Sequence, residues 1–112
     1  MATTPEGRVK AAIKKWLEAR GFWRAGAKRP QRVEGWFTMP VNNGMGVVGI
    51  PDFRCVWRGL SFDIEAKAGR GQCTENQKQR HVEIREAGGF VAVGAVGEAV
   101  PHDARPPVPA AG

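Results

Sequence analysis

Residues 49–67 of the chain read GIPDFRCVWRGLSFDIEAK, and this stretch decides the fold. Polar and apolar residues alternate on both sides of positions 58–59, as they do in two half-buried β-strands joined by a short turn. The pattern predicts strands at about 50–57 and 60–67 that pair as an antiparallel hairpin. Each strand then presents one apolar face to a core and one polar face away from it.

The register of this hairpin determines which polar side chains face each other. If the turn is two residues long, Arg54 lies opposite Asp63 as an opposite-charge pair, and the apolar faces also match. The same register places Asp52 directly opposite Glu65, with their Cβ atoms about 5 Å apart. Arg58 is not the residue favoured at the first position of such a turn, and a longer loop would shift the pairing.

The facing carboxylates are the feature that points to chemistry. Like charges opposite each other destabilise a sheet, and a divalent cation such as Mg²⁺ or Mn²⁺, which prefers oxygen ligands, would remove that repulsion. Lys67 follows Glu65 on the same strand face, about 6.6 Å further along, where its ammonium group can orient water or stabilise charge on a phosphate. Asp52, Glu65 and Lys67 therefore predict a site for metal-assisted phosphodiester hydrolysis. The alternative is a turn aspartate and an ordinary solvated strand face, which the same letters also describe.

An amphipathic helix precedes the hairpin. It begins with the capping-box spacing of Thr3 and Glu6 and ends at Gly21, since glycine readily adopts the left-handed conformation of a helix end. Its apolar positions follow the i, i+3, i+4 pattern of one buried stripe, made of Val9, Ala12, Ile13, Trp16 and Leu17. Glu6 falls on the edge of this stripe, so we expect its side chain to face inward.

The remaining segments complete an α/β domain. A second helix spans 74–87, with a capping box that starts at Thr74, and leads to a buried strand at 90–93. A further strand is predicted at 35–41, and the basic segment 22–34 is predicted to be irregular. The predicted order is helix, three strands, helix and strand around a mixed sheet.

Composition and charge narrow the class of protein. The chain has 112 residues, two cysteines and no apolar run near the ~18 residues of a membrane span, so we expect one soluble, cytoplasmic domain without a membrane partner. Residues 1–33 carry nine of the seventeen Lys and Arg and only two acidic residues, which gives +7 against −1 for the remainder. A basic arm on a near-neutral body indicates a nucleic-acid binder, although a solvated helix face followed by a basic loop carries the same charge. We expect residues 1–96 to form the domain and the Pro-rich residues 97–112 to be disordered.

Several of these motifs together resemble a known family of nucleases, the VRR-NUC branch of the PD-(D/E)XK nucleases. The matching segments are residues 4–10, 49–53, 62–67, 74–77 and 87–89. The first of them, TPEGRVK, resembles the small stand-alone phage members in particular. The similarity covers roughly residues 4–95, which is nearly the whole expected domain.

The resemblance implies a restriction-endonuclease-like core and a Mg²⁺- or Mn²⁺-dependent DNA endonuclease. Asp52 and Glu65 match the metal-binding carboxylates of the family, the backbone carbonyl of Ala66 would complete part of the metal's shell, and Lys67 matches the catalytic lysine. Small members are similar in fold to Holliday-junction resolvases and are commonly homodimers. We therefore expect a homodimer that acts on branched or structured DNA.

Two further residues are assigned through the resemblance. Gln77 matches a glutamine on the helix after the core motif, and Glu6 matches a first-helix glutamate that reaches the metal site. From the residues alone, Gln77 is as easily a helix cap, and Glu6 has the same ambiguity. His81 and His102 have no partners at ligand spacing, so we expect both to be surface residues.

Nucleic-acid contacts follow from the basic arm and from the loop after the third strand. We expect phosphate contacts from Lys10, Lys14, Arg24, Lys28, Arg29 and Arg70. The alternative function is a nucleic-acid structure-recognition module that binds without cutting. The intact set of two carboxylates and a lysine argues against it, because degenerate nucleases usually lose one of these groups.

Overall fold

The computed structural model describes residues 4–41, 45–69 and 71–94. Within them the elements are α1 (Pro5–Ala19), β1 (Phe22–Arg24), β2 (Gly35–Thr38), β3 (Phe53–Trp57), β4 (Leu60–Ala66), α2 (Glu75–Glu86) and β5 (Phe90–Gly94). The strands form one sheet in the order β1-β2-β3-β4-β5. The two outer pairs are parallel and the two central pairs are antiparallel. This mixed sheet with flanking helices is a restriction-endonuclease-like α/β fold.

Strands β3 and β4 form the predicted hairpin in the predicted register. Arg54 pairs with Asp63, and the Arg54 Nε donates a hydrogen bond to Asp63 Oδ1 over 3.3 Å. The two-residue turn has positive φ at both Arg58 (47°) and Gly59 (88°), which is the type I′ geometry of tight hairpins. Arg58 is held in this unfavoured conformation by Glu34, whose carbonyl accepts its N–H at 2.8 Å and whose carboxylate accepts its guanidinium at 3.0 Å.

Helix α1 packs on the apolar face of the sheet, against β1 and β4. Ile13 and Leu17 are fully buried there, whereas Ala12, predicted to share the stripe, is exposed. The N-cap is Thr4, whose hydroxyl accepts the Gly7 N–H at 2.9 Å, so the predicted capping spacing was one residue too early. The helix face is thus as predicted, and its start differs by one residue.

The predicted irregular segment 22–34 contains a strand that the sequence pattern did not indicate. Phe22–Arg24 forms β1, parallel to β2. Phe22 is buried, and its ring centroid lies 4.8 Å from that of Trp57, so core packing fixes this short edge strand. The predicted order of elements was therefore short of one strand, because three residues are too few to show an alternating pattern.

Two strand boundaries are also shorter than predicted. β2 ends at Thr38 instead of 41, and β3 begins at Phe53 instead of 50. Pro40 and Pro51 stand just outside these ends, and proline has no N–H to donate to a strand ladder. The chain at 50–52 therefore runs beside the sheet as a loop, and this loop carries Asp52.

Helix α2 lies on the other face of the sheet. Its N-cap Thr74 forms the predicted capping box with Gln77, and its buried residue His81 reaches β4. In the described part of the chain, neither helix has the length and apolar character to cross a membrane. The predicted tail at 97–112, with His102, lies outside the described residues.

Candidate active site

The three residues of the predicted site come together at one end of β3 and β4. Asp52 stands one residue before β3, Glu65 lies in β4, and Lys67 directly follows β4. The backbone ladder ends one residue short of Asp52, so Asp52 does not continue the strand pairing as predicted. Instead its Oδ2 accepts the N–H of Ala66 at 2.8 Å. This bond fastens the Asp52 carboxylate to β4 beside Glu65.

Glu65 is the most deeply buried acidic group of the site, with 1% of its surface exposed. Gln77 Nε2 donates to its Oε2 over 3.2 Å, and His81 Nε2 lies 3.3 Å from its Oε1. Burial, followed by the hydrogen bond and negative charge of Asp52, raises the pKa of Glu65 to about 8, although Lys67 opposes the shift. Two carboxylates this close share a region where one negative charge is already costly.

Gln77 connects the lysine, the glutamate and the start of α2. Its Oε1 accepts a hydrogen bond from Lys67 Nζ at 2.8 Å and another from the Thr74 N–H at 2.8 Å, while its Nε2 holds Glu65. Gln77 is therefore a helix cap, as one alternative predicted, and the same side chain also contacts Glu65 and Lys67. One amide group thus fixes the ammonium of Lys67, a residue that is 8% exposed, relative to the Glu65 carboxylate.

The loop that carries Asp52 is pressed against the first turn of α2. Gly49 has φ of +92°, and a Cβ at this position would lie 2.5 Å from the backbone carbonyl carbon and oxygen of Asn76 and 2.8 Å from the Gln77 nitrogen. Only glycine permits this approach, because it has no Cβ and tolerates positive φ. The Gly-Ile-Pro-Asp segment that ends at Asp52 thus lies against the first turn of α2, the turn that contains Gln77.

Helix α1 contributes two charged side chains from the opposite side. Glu6 Oε1 lies 3.7 Å from Lys67 Nζ, as expected for a residue at the edge of the buried stripe. Lys10, one helical turn later, places its Nζ 3.3 Å from Asp52 Oδ1. The site therefore combines three carboxylates with two ammonium groups, which come from α1, from β4 and from the positions that directly precede β3 and follow β4.

His81 is the site residue that sequence reasoning missed. It was predicted to lie on the surface, but it is 3% exposed and contacts Glu65. Burial, Arg85 and Lys67 lower its pKa, and Asp63 partly opposes them, so the ring is neutral near pH 7. The signal was its spacing: His81 follows Gln77 by four residues and so shares its helix face.

The oxygen groups of the site suit a hard divalent cation. Asp52 and Glu65 offer two neighbouring carboxylates, and the Ala66 carbonyl points to the same side of β4 as its N–H, toward Asp52. Among residues 4–41, 45–69 and 71–94, no three Asp, Glu, His or Cys side chains form a metal-binding group. A Mg²⁺-like ion, which keeps several waters and uses one or two carboxylates, fits this donor set better than a fully caged metal does.

The predicted phosphate-binding residues lie mostly apart from this cluster. Arg24, Lys28 and Arg29 are exposed, and Lys14 is half-buried. None of these four has an ion-pair partner among the described residues, whereas Lys10 contacts Asp52 within the site. Arg70 lies outside the described residues. These four cations lie on α1, on β1 and in the β1–β2 connection, and they carry positive charge that no carboxylate of the described residues balances.

Comparison with known proteins agrees with this picture. No family model matches the chain, and no curated protein matches it. A solved structure described as a VRR_NUC domain superposes with a TM-score of 0.58 and 28% sequence identity, over 84% of this chain and 87% of that one. The similarity therefore extends over most of both molecules. The fold and this similarity support a nuclease domain of the VRR_NUC type.

Proposed function

We propose that the protein is a Mg²⁺- or Mn²⁺-dependent endodeoxyribonuclease that hydrolyses phosphodiester bonds in branched or structured DNA. The observation that carries the proposal is the connected cluster in which Gln77 bonds both Glu65 and Lys67, while Asp52 is fastened beside them. The order of these groups along the chain, Asp52 and then Glu65-Ala66-Lys67, has the form of the PD-(D/E)XK pattern.

Each residue has a distinct role in this proposal. Asp52, Glu65 and the Ala66 carbonyl would hold the cation, which would supply positive charge to the phosphate and make water a nucleophile at neutral pH. Lys67, fixed by Gln77 and close to Glu6, orients the attacking water and stabilises negative charge that develops on the phosphate. The water oxygen forms the new bond to phosphorus and loses one proton to solvent. One P–O ester bond of the backbone breaks, and its leaving oxygen takes up a proton from solvent to become a free hydroxyl.

DNA is the proposed substrate because of the unpaired cations. Lys14, Arg24, Lys28 and Arg29 have no carboxylate partners among the described residues, so their charge is available to backbone phosphates. Such contacts release counterions from DNA, and binding should weaken steeply as salt rises. A homodimer, which would place two such sites on one branched substrate, stays a prediction and is checked by the mass of the free protein in light scattering.

The test is cleavage of labelled single-stranded, duplex, flap and four-way-junction DNA with Mg²⁺, Mn²⁺ or EDTA. We expect metal-dependent cutting of the branched substrates, loss of cutting in Asp52→Asn and Lys67→Met, and retention in Lys78→Met. Lys78 is a suitable control because it pairs with Glu75 on the exposed side of α2. Circular dichroism of each variant establishes that the fold is intact.

Two results would contradict the proposal. Cutting that persists in folded Lys67→Met would remove the lysine from the mechanism. Tight, salt-dependent binding of the whole panel without cutting under either metal would favour the recognition module instead.

A further inference from the structure

The contact between Lys10 and Asp52 is more specific than a general attraction between a basic helix and an acidic site. Lys10 lies one turn after Glu6 on α1, and residues four apart share a helix face. Glu6 reaches Lys67, and Lys10 reaches Asp52. The two side chains of α1 therefore insert into the cluster at different points, and each meets a group of opposite charge.

The oxygen that Lys10 contacts is the one that the protein backbone leaves open. Asp52 Oδ2 accepts the Ala66 N–H at 2.8 Å, which fixes the carboxylate to β4. Asp52 Oδ1 has no backbone donor among the described bonds, and Lys10 Nζ lies 3.3 Å from it. The ammonium group thus stands at the carboxylate oxygen that is best placed to bind a cation.

We propose that Lys10 is an internal cation of the metal-free site, which leaves Asp52 Oδ1 when a divalent cation is bound and then contacts the phosphate of the substrate. This inference rests on the proposed nuclease function, because it concerns the same site. It assigns Lys10 a place in the reaction centre that the other lysines of α1 do not share.

The exchange is physically accessible because the ion pair is partly hydrated. The Lys10 side chain is 37% exposed and that of Asp52 is 19% exposed, so the pair is weak compared with a buried one. Two positive charges at one carboxylate oxygen repel each other, so the Lys10 ammonium and a divalent cation do not share Oδ1. Lysine has a flexible four-carbon stem, which lets its ammonium move without any change in the α1 backbone.

When Lys10 leaves the Asp52 carboxylate, a phosphate of the substrate offers it another negatively charged partner. Lys67 is 8% exposed and fixed by Gln77, so it is poorly able to follow a phosphate that enters from solvent. Lys10 lies at the more exposed side of the cluster and is free to turn toward an anion once Asp52 is occupied. We therefore expect it to help position the phosphate that is attacked.

The experiment compares Mn²⁺ affinity with cleavage rate in Lys10→Met, Lys10→Arg and Lys15→Met. Lys15 is an exposed neighbour on α1 without a partner among the described residues, and it serves as the matched control. Mn²⁺ binding is measured on the free protein by electron paramagnetic resonance and calorimetry. Cleavage of the best substrate is measured as a single-turnover rate at saturating Mn²⁺.

Opposite changes in the two measurements are the expected result. Lys10→Met should bind Mn²⁺ about two- to fivefold more tightly, the range for loss of one partly exposed ion pair, and should cleave at least about tenfold more slowly. Lys10→Arg should restore cleavage in part, and Lys15→Met should match the wild type in both. A merely structural role would instead weaken metal binding and cleavage together.

Each other outcome overturns the inference. If Lys10→Met binds Mn²⁺ as the wild type does, or more weakly, Lys10 does not compete with the cation. If it binds Mn²⁺ more tightly but cleaves at the wild-type rate, Lys10 does not contact the phosphate. If the wild-type protein itself binds no Mn²⁺, the proposed nuclease site is wrong, and this inference is rejected with it.

Discussion

Replacing Gly49 by alanine should push the loop that carries Asp52 away from helix α2. The added Cβ would stand 2.5 Å from the Asn76 carbonyl carbon and oxygen and 2.8 Å from the Gln77 nitrogen. All three are backbone atoms of the first turn of α2, so no side-chain rotation relieves the contact. An ordinary carbon contact of about 3.5–4 Å requires the loop and the helix to separate by about 1 Å.

Gly49→Ala should lose stability for two reasons, backbone strain and overpacking, and the matched variant Gly59→Ala separates the two. Gly49 has φ of +92° and Gly59 has φ of +88°, but a Cβ at Gly59 would meet no atom within 4 Å. Gly59→Ala therefore carries only the backbone strain of about 1–2 kcal/mol. Gly49→Ala carries the same strain and an overpacking term of about 1–3 kcal/mol. The difference between the two unfolding free energies isolates the close approach.

The displacement should affect function more than stability. Asp52 and Gln77 lie on facing sides of the contact, so a shift of about 1 Å misplaces the carboxylates, for which a loss on the order of 100-fold in rate is typical. Urea unfolding gives the stability of both variants, and single-turnover cleavage with Mn²⁺ affinity gives the state of the site. Equal stability and equal cleavage in Gly49→Ala and Gly59→Ala would refute the idea that this contact sets the geometry of the site.

Two further predictions concern Glu65. His81→Leu should leave Glu65 Oε1 without its 3.3 Å partner, destabilise the fold by about 1–3 kcal/mol and slow cleavage. His81→Gln keeps a side-chain N–H and should recover much of the lost stability and of the lost cleavage rate. Equal loss in the two variants would show that only the packing of the ring matters. In EDTA, the unfolding free energy should fall as the pH rises from about 4.5 to 8. The pKa of Glu65 is raised to about 8 in the folded protein, so over this range the folded protein retains a proton that the unfolded chain has already released. Glu65→Gln cannot ionise and should remove this slope, as followed by urea unfolding across that pH range; an unchanged slope would assign it to another group.

The elements that sequence reasoning predicted well are those whose signals are local. The β3–β4 register follows from alternation and from one two-residue turn, and Arg54 pairs with Asp63 as expected. The convergence of Asp52, Glu65 and Lys67 is a direct consequence of that register. The capping spacing from Thr74 predicted the helix-cap role of Gln77, whereas its place beside Lys67 was implied only by the resemblance to the nuclease family.

The features that sequence reasoning missed depend on contacts between distant parts of the chain. β1 is held in place because Phe22 packs against Trp57, and a pattern of three residues is too short to predict such a contact. Lys10 was expected to contact phosphates, and its contact with Asp52 depends on the packing of α1 against the sheet. His81 was assigned to the surface because it has no partner at ligand spacing. The helix α2 is also polar on most sides, so its buried face is not visible as an apolar stripe.

The hydrogen bonds of the two carboxylates explain how an acidic cluster persists without a cation and still accepts one. Glu65 is held on both oxygens by side chains of α2, Gln77 and His81, and because its pKa is raised to about 8, it keeps its proton in the metal-free site below that pH. Asp52 is held on one oxygen by a backbone N–H and on the other by the ammonium of Lys10. Each carboxylate oxygen has two lone pairs and so keeps capacity for a further partner. Glu65 therefore supplies a fixed position, Asp52 supplies the exchangeable one, and the removal of Lys10 should change the second without disturbing the first.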